Sequence, residues 1–195
     1  MKGWYLHPMA THSTNKSYLK FLIRLRPVLK WIFKLRGSPK AIAGGLSLGI
    51  FIAFTPTVGL QVILAALFAT IFNLNRPSAI ITVWVTNPVT IPIIFTFNYW
   101  VGKMIISGPP VSYVAKSLLD FVKQMASFDV WQVLDQFIAF MQLGKEILIP
   151  LATGSILVGS CIAIMTYVGS TKLLEAYLAR RERKKRRASN DAIER

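Results

Sequence analysis

From Ala41 to Asn75 no side chain carries a charge, and the same holds from Pro77 to Gly102, with Arg76 between them. A proline-centred polar cluster interrupts each stretch: Phe54-Thr55-Pro56-Thr57-Val58-Gly59 in the first, Thr86-Asn87-Pro88-Val89-Thr90-Ile91-Pro92 in the second. One spanning helix takes about 20 apolar residues. The first stretch, 35 residues long, is too long for one straight span and short for two. Two half-length helices meeting at a Pro/Gly turn predict a re-entrant hairpin over 41–75. Backbone that is not helical is tolerated at membrane depth only inside protein or against a watery cavity. The second stretch, 77–102, predicts one crossing broken at Asn87-Pro88 and Pro92. The alternative is a second hairpin reaching Ser107-Gly108-Pro109-Pro110.

The remaining pattern supplies flanking elements. Ile147 to Thr171 is uncharged and reads as the simplest span. Between the spans, 111–144 keeps helical periodicity with more polar residues. Leu118, Leu119, Val122 and Met125 form one apolar face, and Val130, Trp131, Leu134, Phe137, Ile138 and Met141 another. These predict an amphipathic helical pair on the outer surface, with Ser127 or Asp129 capping the second helix. Lys16 to Arg36 predicts a basic amphipathic helix lying in the headgroup region, Lys30 and Lys34 among its cations. The fold class expected is therefore all-α. It is a multi-pass integral membrane protein with Pro-broken, re-entrant helices and flanking amphipathic helices. Three regions follow: a basic N-terminal region 1–40, a membrane domain 41–171 and a polybasic tail 172–195.

Charge fixes the expected orientation. The 195 residues carry a net charge of +15, with 53% hydrophobic residues and a mean hydropathy of +0.48. Residues 1–40 hold nine basic and no acidic side chains, and 172–195 hold nine basic and four acidic. Basic ends around a near-neutral apolar middle place both termini in the cytoplasm. The number of crossings is then even, and two is preferred over four. The tail run Arg180-Arg181-Glu182-Arg183-Lys184-Lys185-Arg186-Arg187 is a topology anchor and a surface for anionic lipid headgroups. A nucleic-acid-binding domain would more often interleave basic and aromatic residues, so nucleic acid is not an expected partner. The first long apolar run begins only after about forty residues, too far in for a cleaved signal segment.

Candidate chemistry is sparse. The one cysteine, Cys161, excludes an internal disulfide and a thiolate cluster. His7 and His12 have no carboxylate or thiol nearby, so no metal site is expected. No nucleotide-binding loop, nucleophile elbow or hydrolase carboxylate pair occurs, so neither catalytic residues nor a cofactor are expected. The polar lining of the breaks remains: Thr55, Pro56, Thr57, Gly59 and Gln61 at one, Thr86, Asn87, Pro88 and Thr90 at the other, with Asn98 beside it. Broken helices expose carbonyls and half-helix ends that bind ions or anionic groups. The competing reading is that these side chains satisfy backbone freed by the prolines. Gly45 with Gly49, and Ser155, Gly159 and Ala163, form small-residue faces for close helix packing. Such faces suit contacts within the chain, a homo-oligomer or another membrane protein.

In their order and spacing, several of these residues resemble a known family. Gly45-x-x-x-Gly49-x-Phe51, Phe54-x-Pro56-x-x-Gly59-x-Gln61, Asn73-x-Asn75 and Thr86-Asn87-Pro88-x-Thr90 look like the bacterial membrane family called domain of unknown function 2062. The similarity is best from about Pro39 to Gly108. It implies a small integral protein of the bacterial inner membrane and carries no reaction with it. Some relatives join the domain to a glycosyltransferase, which is absent from these residues.

Overall fold

The computed structural model describes residues 37–125 and 132–193. The predicted helix over Lys16–Arg36, with Lys30 and Lys34, lies outside the described residues, as do His7, His12, Ser127 and Asp129. Among the described residues there are seven helices and no strand.

The first helix, α1 (Pro39–Phe54), starts where Ser38 Oγ accepts the Ala41 N–H at 3.2 Å and Pro39 presets the first-turn dihedral. It stops at Phe54 because the residue before Pro56 is driven out of the helical region, and Thr55 is extended, with ψ 148°. Gly59, at φ +87°, turns the chain into α2 (Gln61–Ile71). Asn73 supplies a second left-handed residue, φ +53°. Asn75 Oδ1 then caps α3 (Arg76–Val83) by accepting the Ser78 N–H at 3.0 Å. The Asn75 N–H donates to the Ala41 carbonyl at 3.0 Å, so the hairpin returns the chain to where α1 began.

After the second break come α4 (Ile91–Lys103), α5 (Val111–Met125), α6 (Val133–Met141) and α7 (Lys145–Ile193). The stretch 77–102 is thus two separate helices with seven non-helical residues, 84–90, between them. The last helix outruns the expected 147–171 because nothing stops it. No Gly or Pro follows Gly169, and Lys, Arg, Glu, Leu and Ala dominate the next turns. Within α7, Lys145–Ala179, 35 residues long, is the one described segment long and apolar enough to cross a membrane, its most apolar 18-residue window having a mean hydropathy of 2.2. At 16 residues, α1 is about 24 Å long, short of the roughly 30 Å of a bilayer core.

The long helix α7 runs antiparallel to both α1 and α4, which follow one another along it. Ala163 meets Ser47, Gly159 meets Phe54, Ser155 meets Asn98, and Pro150 meets Gly102. One apolar cluster joins Ile52 of α1, Ala65 and Ala69 of α2, and Ala79 and Val83 of α3. A second gathers Val58, Phe95, Tyr99, Leu118, Phe121, Phe140 and Leu151. In it Phe140 meets Phe95 and Phe121 edge-on, at centroid distances of 5.7 and 5.2 Å. The inward edge of α5 is Val114, Leu118 and Phe121, so Leu119, expected on the apolar face, is half exposed. The outer surfaces of α2, α4 and α7 are apolar, with Ile63, Phe72, Ile93, Ile156 and Met165 all exposed.

Candidate functional site

The two breaks meet at the C-terminal end of α1. A helix end leaves carbonyls without intrahelical partners, and these must find donors elsewhere. The N–H of Thr55 is shared between the Phe51 and Ile52 carbonyls, and its Oγ1 donates to Ile52 O at 2.7 Å. The Ala53 carbonyl accepts the Thr86 hydroxyl at 2.5 Å, from the second break. Gln61, buried at the start of α2, places Nε2 3.4 Å from both the Ala53 and Thr55 carbonyls. The Phe54 carbonyl accepts Asn98 Nδ2 of α4 at 3.0 Å. That amide also donates to Ser155 Oγ of α7 at 3.1 Å. Four helices and both breaks are therefore joined through three side-chain donors on two adjacent carbonyls.

Other predicted site residues act locally. Thr57 Oγ1 lies 3.1 Å from Thr55 Oγ1. Asn87 Oδ1 accepts the N–H groups of Val89 and Thr90, while the Asn87 N–H donates to Thr90 Oγ1 at 2.9 Å. This is a reciprocal capping arrangement. It closes the turn that leads into α4 and makes no hydrogen bond to the Ala53 and Phe54 carbonyls. Pro56 and Pro88 lie in the two non-helical segments, and Pro92 opens α4.

Small residues set how close the elements come. A Cβ on Gly45 would collide with Ser78 Oγ and the Asn75 carbonyl, and one on Gly49 with Thr82 Oγ1 and the Ala79 carbonyl. The Gly45/Gly49 face therefore lies directly on the backbone of α3. Gly159 faces Phe54 and Phe51. The Ala163 carbonyl accepts Ser47 Oγ at 2.7 Å. Gly102 and Gly154 pair α4 with α7 at backbone distance, a contact the sequence reading missed although Gly154 lies one residue from Ser155.

Asn98 is the residue whose weight the sequence understated. It is 0% exposed, and its Oδ1 has no hydrogen-bond partner. Among the described residues only Thr96 Oγ1 shares that condition. A lone amide inside the apolar run Ile91–Gly102 was the available signal. The arrangement offers one unused, fully buried acceptor beside the carbonyl end of α1, where the helix dipole is negative. Within the described residues no group of His, Cys, Asp and Glu could hold a metal. The backbone of 180–187 continues α7, while the side chains of Arg180, Arg181, Arg183, Lys184, Lys185, Arg186 and Arg187 lie outside the described ones.

A family model described as an uncharacterized protein conserved in bacteria, domain of unknown function 2062, matches residues 22–183. The chain belongs to the family called domain of unknown function 2062. No curated protein and no solved structure matches it. For this member of family 2062 the matched range takes in both breaks, Asn98, Ser155 and the Gly102/Gly154 crossing.

Proposed function

We propose that this is a multi-pass protein of the bacterial inner membrane, with both termini cytoplasmic, that handles a small solute, ion or lipid where its broken helices meet. It works without catalysis or a cofactor. The hairpin α1–α2 enters and leaves on the cytoplasmic side, α3 and α4 together make one crossing, and α7 makes the return. The exposed apolar surface of α2, α4 and α7 supports the bilayer setting. One observation carries the solute reading: the unpaired, fully buried Asn98 Oδ1 beside the Phe54 carbonyl. Buried polar atoms are nearly always paired, and an orphan in a native structure calls for a function or a bound partner.

Cysteine probes at Thr57, Arg76, Asp129 and Ala188 in a Cys161→Ser background test this reading in cells. Arg76 and Ala188 label from the cytoplasm, Asp129 labels from outside, and Thr57 reacts with a small water-borne reagent. An unreactive Thr57 with the other three as stated removes the solute site and keeps the topology.

A second reading has its own support. Thr86, Gln61 and Asn98 already occupy the Ala53 and Phe54 carbonyls, as a purely structural lock would require. The protein would then be a membrane scaffold whose basic ends hold anionic lipid or a partner. A chain ending at Ala179 that inserts correctly but fails to complement a deletion favours this reading.

A further inference from the structure

Between α4 and α5 runs an open groove of about 630 Å³. Ile93, Phe97 and Trp100 form one wall, and Val111, Ala115 and Leu119 the other. Its lining is apolar apart from Thr96, and it is open along its length. It is separate from the polar junction, because Asn98 points from α4 to α1 and α7.

One end of the groove is cationic. Lys103 follows Pro92, Thr96 and Trp100 on the same helical stripe of α4, by the 3.6-residue period. Its ammonium donates to the Pro109 carbonyl at 2.7 Å, which fixes it at the turn joining the two groove helices. An ammonium has three donors, so two remain for a ligand. Lys116, exposed, follows Ala115 on the rim of the other wall. The groove is continuous with bare apolar surface, since Ile93 is 71% exposed and Met104, next to Lys103, 66%. An apolar slot closed by a cation complements an amphiphile with one tail to bury and an anionic head. A helix from a second copy would need small residues to approach. Ile93, Phe97 and Leu119 on these walls are bulky.

We infer that the α4–α5 groove holds one acyl chain of an anionic phospholipid, with its phosphate on Lys103. This rests on the membrane setting proposed above and does not depend on the solute site.

The test uses the full chain with single tryptophans, reconstituted in phosphatidylcholine vesicles. One protein keeps Trp100 and the other keeps Trp84, with the remaining tryptophans changed to Phe. Dibrominated phosphatidylglycerol or dibrominated phosphatidylcholine is titrated in as the quencher. Trp100 is expected to reach half-quenching at an about five-fold lower mole fraction of the anionic lipid, the effect of roughly one interfacial lysine. Trp84, exposed and not among the residues lining the groove, is quenched equally by both lipids. Lys103→Gln abolishes the preference at Trp100, and Ala115→Phe, which fills the slot, lowers quenching by both lipids there. Equal quenching of Trp100 by the two lipids in the otherwise unaltered protein overturns the inference without recourse to either variant. Quenching of neither tryptophan overturns the membrane setting as well. Efficient self-crosslinking of an Ile93→Cys protein in a Cys161→Ser background assigns the groove to a second copy instead.

Discussion

Asn98 and Phe54 stand 44 positions apart in sequence, yet the Asn98 amide donates to the Phe54 carbonyl at 3.0 Å. The bond joins the helix after the second break to the end of the helix before the first. It turns two local interruptions into one structural joint.

Replacing Asn98 by Ala leaves the Phe54 carbonyl buried without its donor, which costs about 1–3 kcal/mol. Ser155→Ala removes a partner the Asn98 amide can partly forgo, because the bond to Phe54 remains. The expected order of thermal midpoints in detergent is wild type, then Ser155→Ala, then Asn98→Ala. A reversed order for the two variants would mean that the Phe54 bond is not the stronger tie.

The glycines at helix crossings divide sharply by location. Gly49→Leu and Gly154→Leu force side chains into the backbones of α3 and α4 and should destabilise by at least the 1–3 kcal/mol typical of overpacking. Gly169→Leu meets nothing within 4 Å, and its midpoint should stay near that of the parent. Equal losses at Gly49 and Gly169 would refute this packing.

Gly59 and Asn73 carry the chain through the left-handed region at φ +87° and +53°. A β-branched residue there costs roughly 1–2 kcal/mol, whereas Asn73→Gly should be tolerated. Comparing Asn73→Val with Asn73→Gly by chemical denaturation checks this.

Asn87 and Gln61 look alike in sequence and separate in function. Asn87→Ala should cost the 0.5–2 kcal/mol of a lost cap and leave Thr57 reactivity unchanged, since Asn87 bonds only within its own turn. Gln61→Ala frees the Ala53 and Thr55 carbonyls of one donor and should raise the labelling rate of a Thr57→Cys probe. Unaltered labelling in both would show that Gln61 does not close the joint.

Much of this arrangement was legible before any coordinates. Proline, glycine and asparagine punctuate the chain at residues 55–60, 73–75 and 86–92, and helix ends fell at those places because backbone chemistry is local. The division of 41–75 into two helices was readable from Pro56 and Gly59 at its centre. The convergence was not readable. Thr86, Gln61 and Asn98 are ordinary polar residues until tertiary packing places them on the same two carbonyls. The Gly102/Gly154 contact was hidden for a related reason, since each helix offers only one glycine at that crossing and neither alone forms a small-residue pattern. On the face of α5 one of the four expected residues, Leu119, turns outward. Amphipathic periodicity fixes a stripe, and the neighbouring α4 decides which edge of it turns inward.

The antiparallel seating of α7 against both α1 and α4 has a consequence in time. Phe54 leaves the ribosome about a hundred residues before Gly159, the residue that packs on it. At synthesis rates of about 5–20 residues per second the gap is roughly 5–20 seconds. Until α7 is made, Ser47 has no Ala163 carbonyl and Asn98 no Ser155 to bond. The early helices therefore wait with one flank open, and the last helix to be made completes the first.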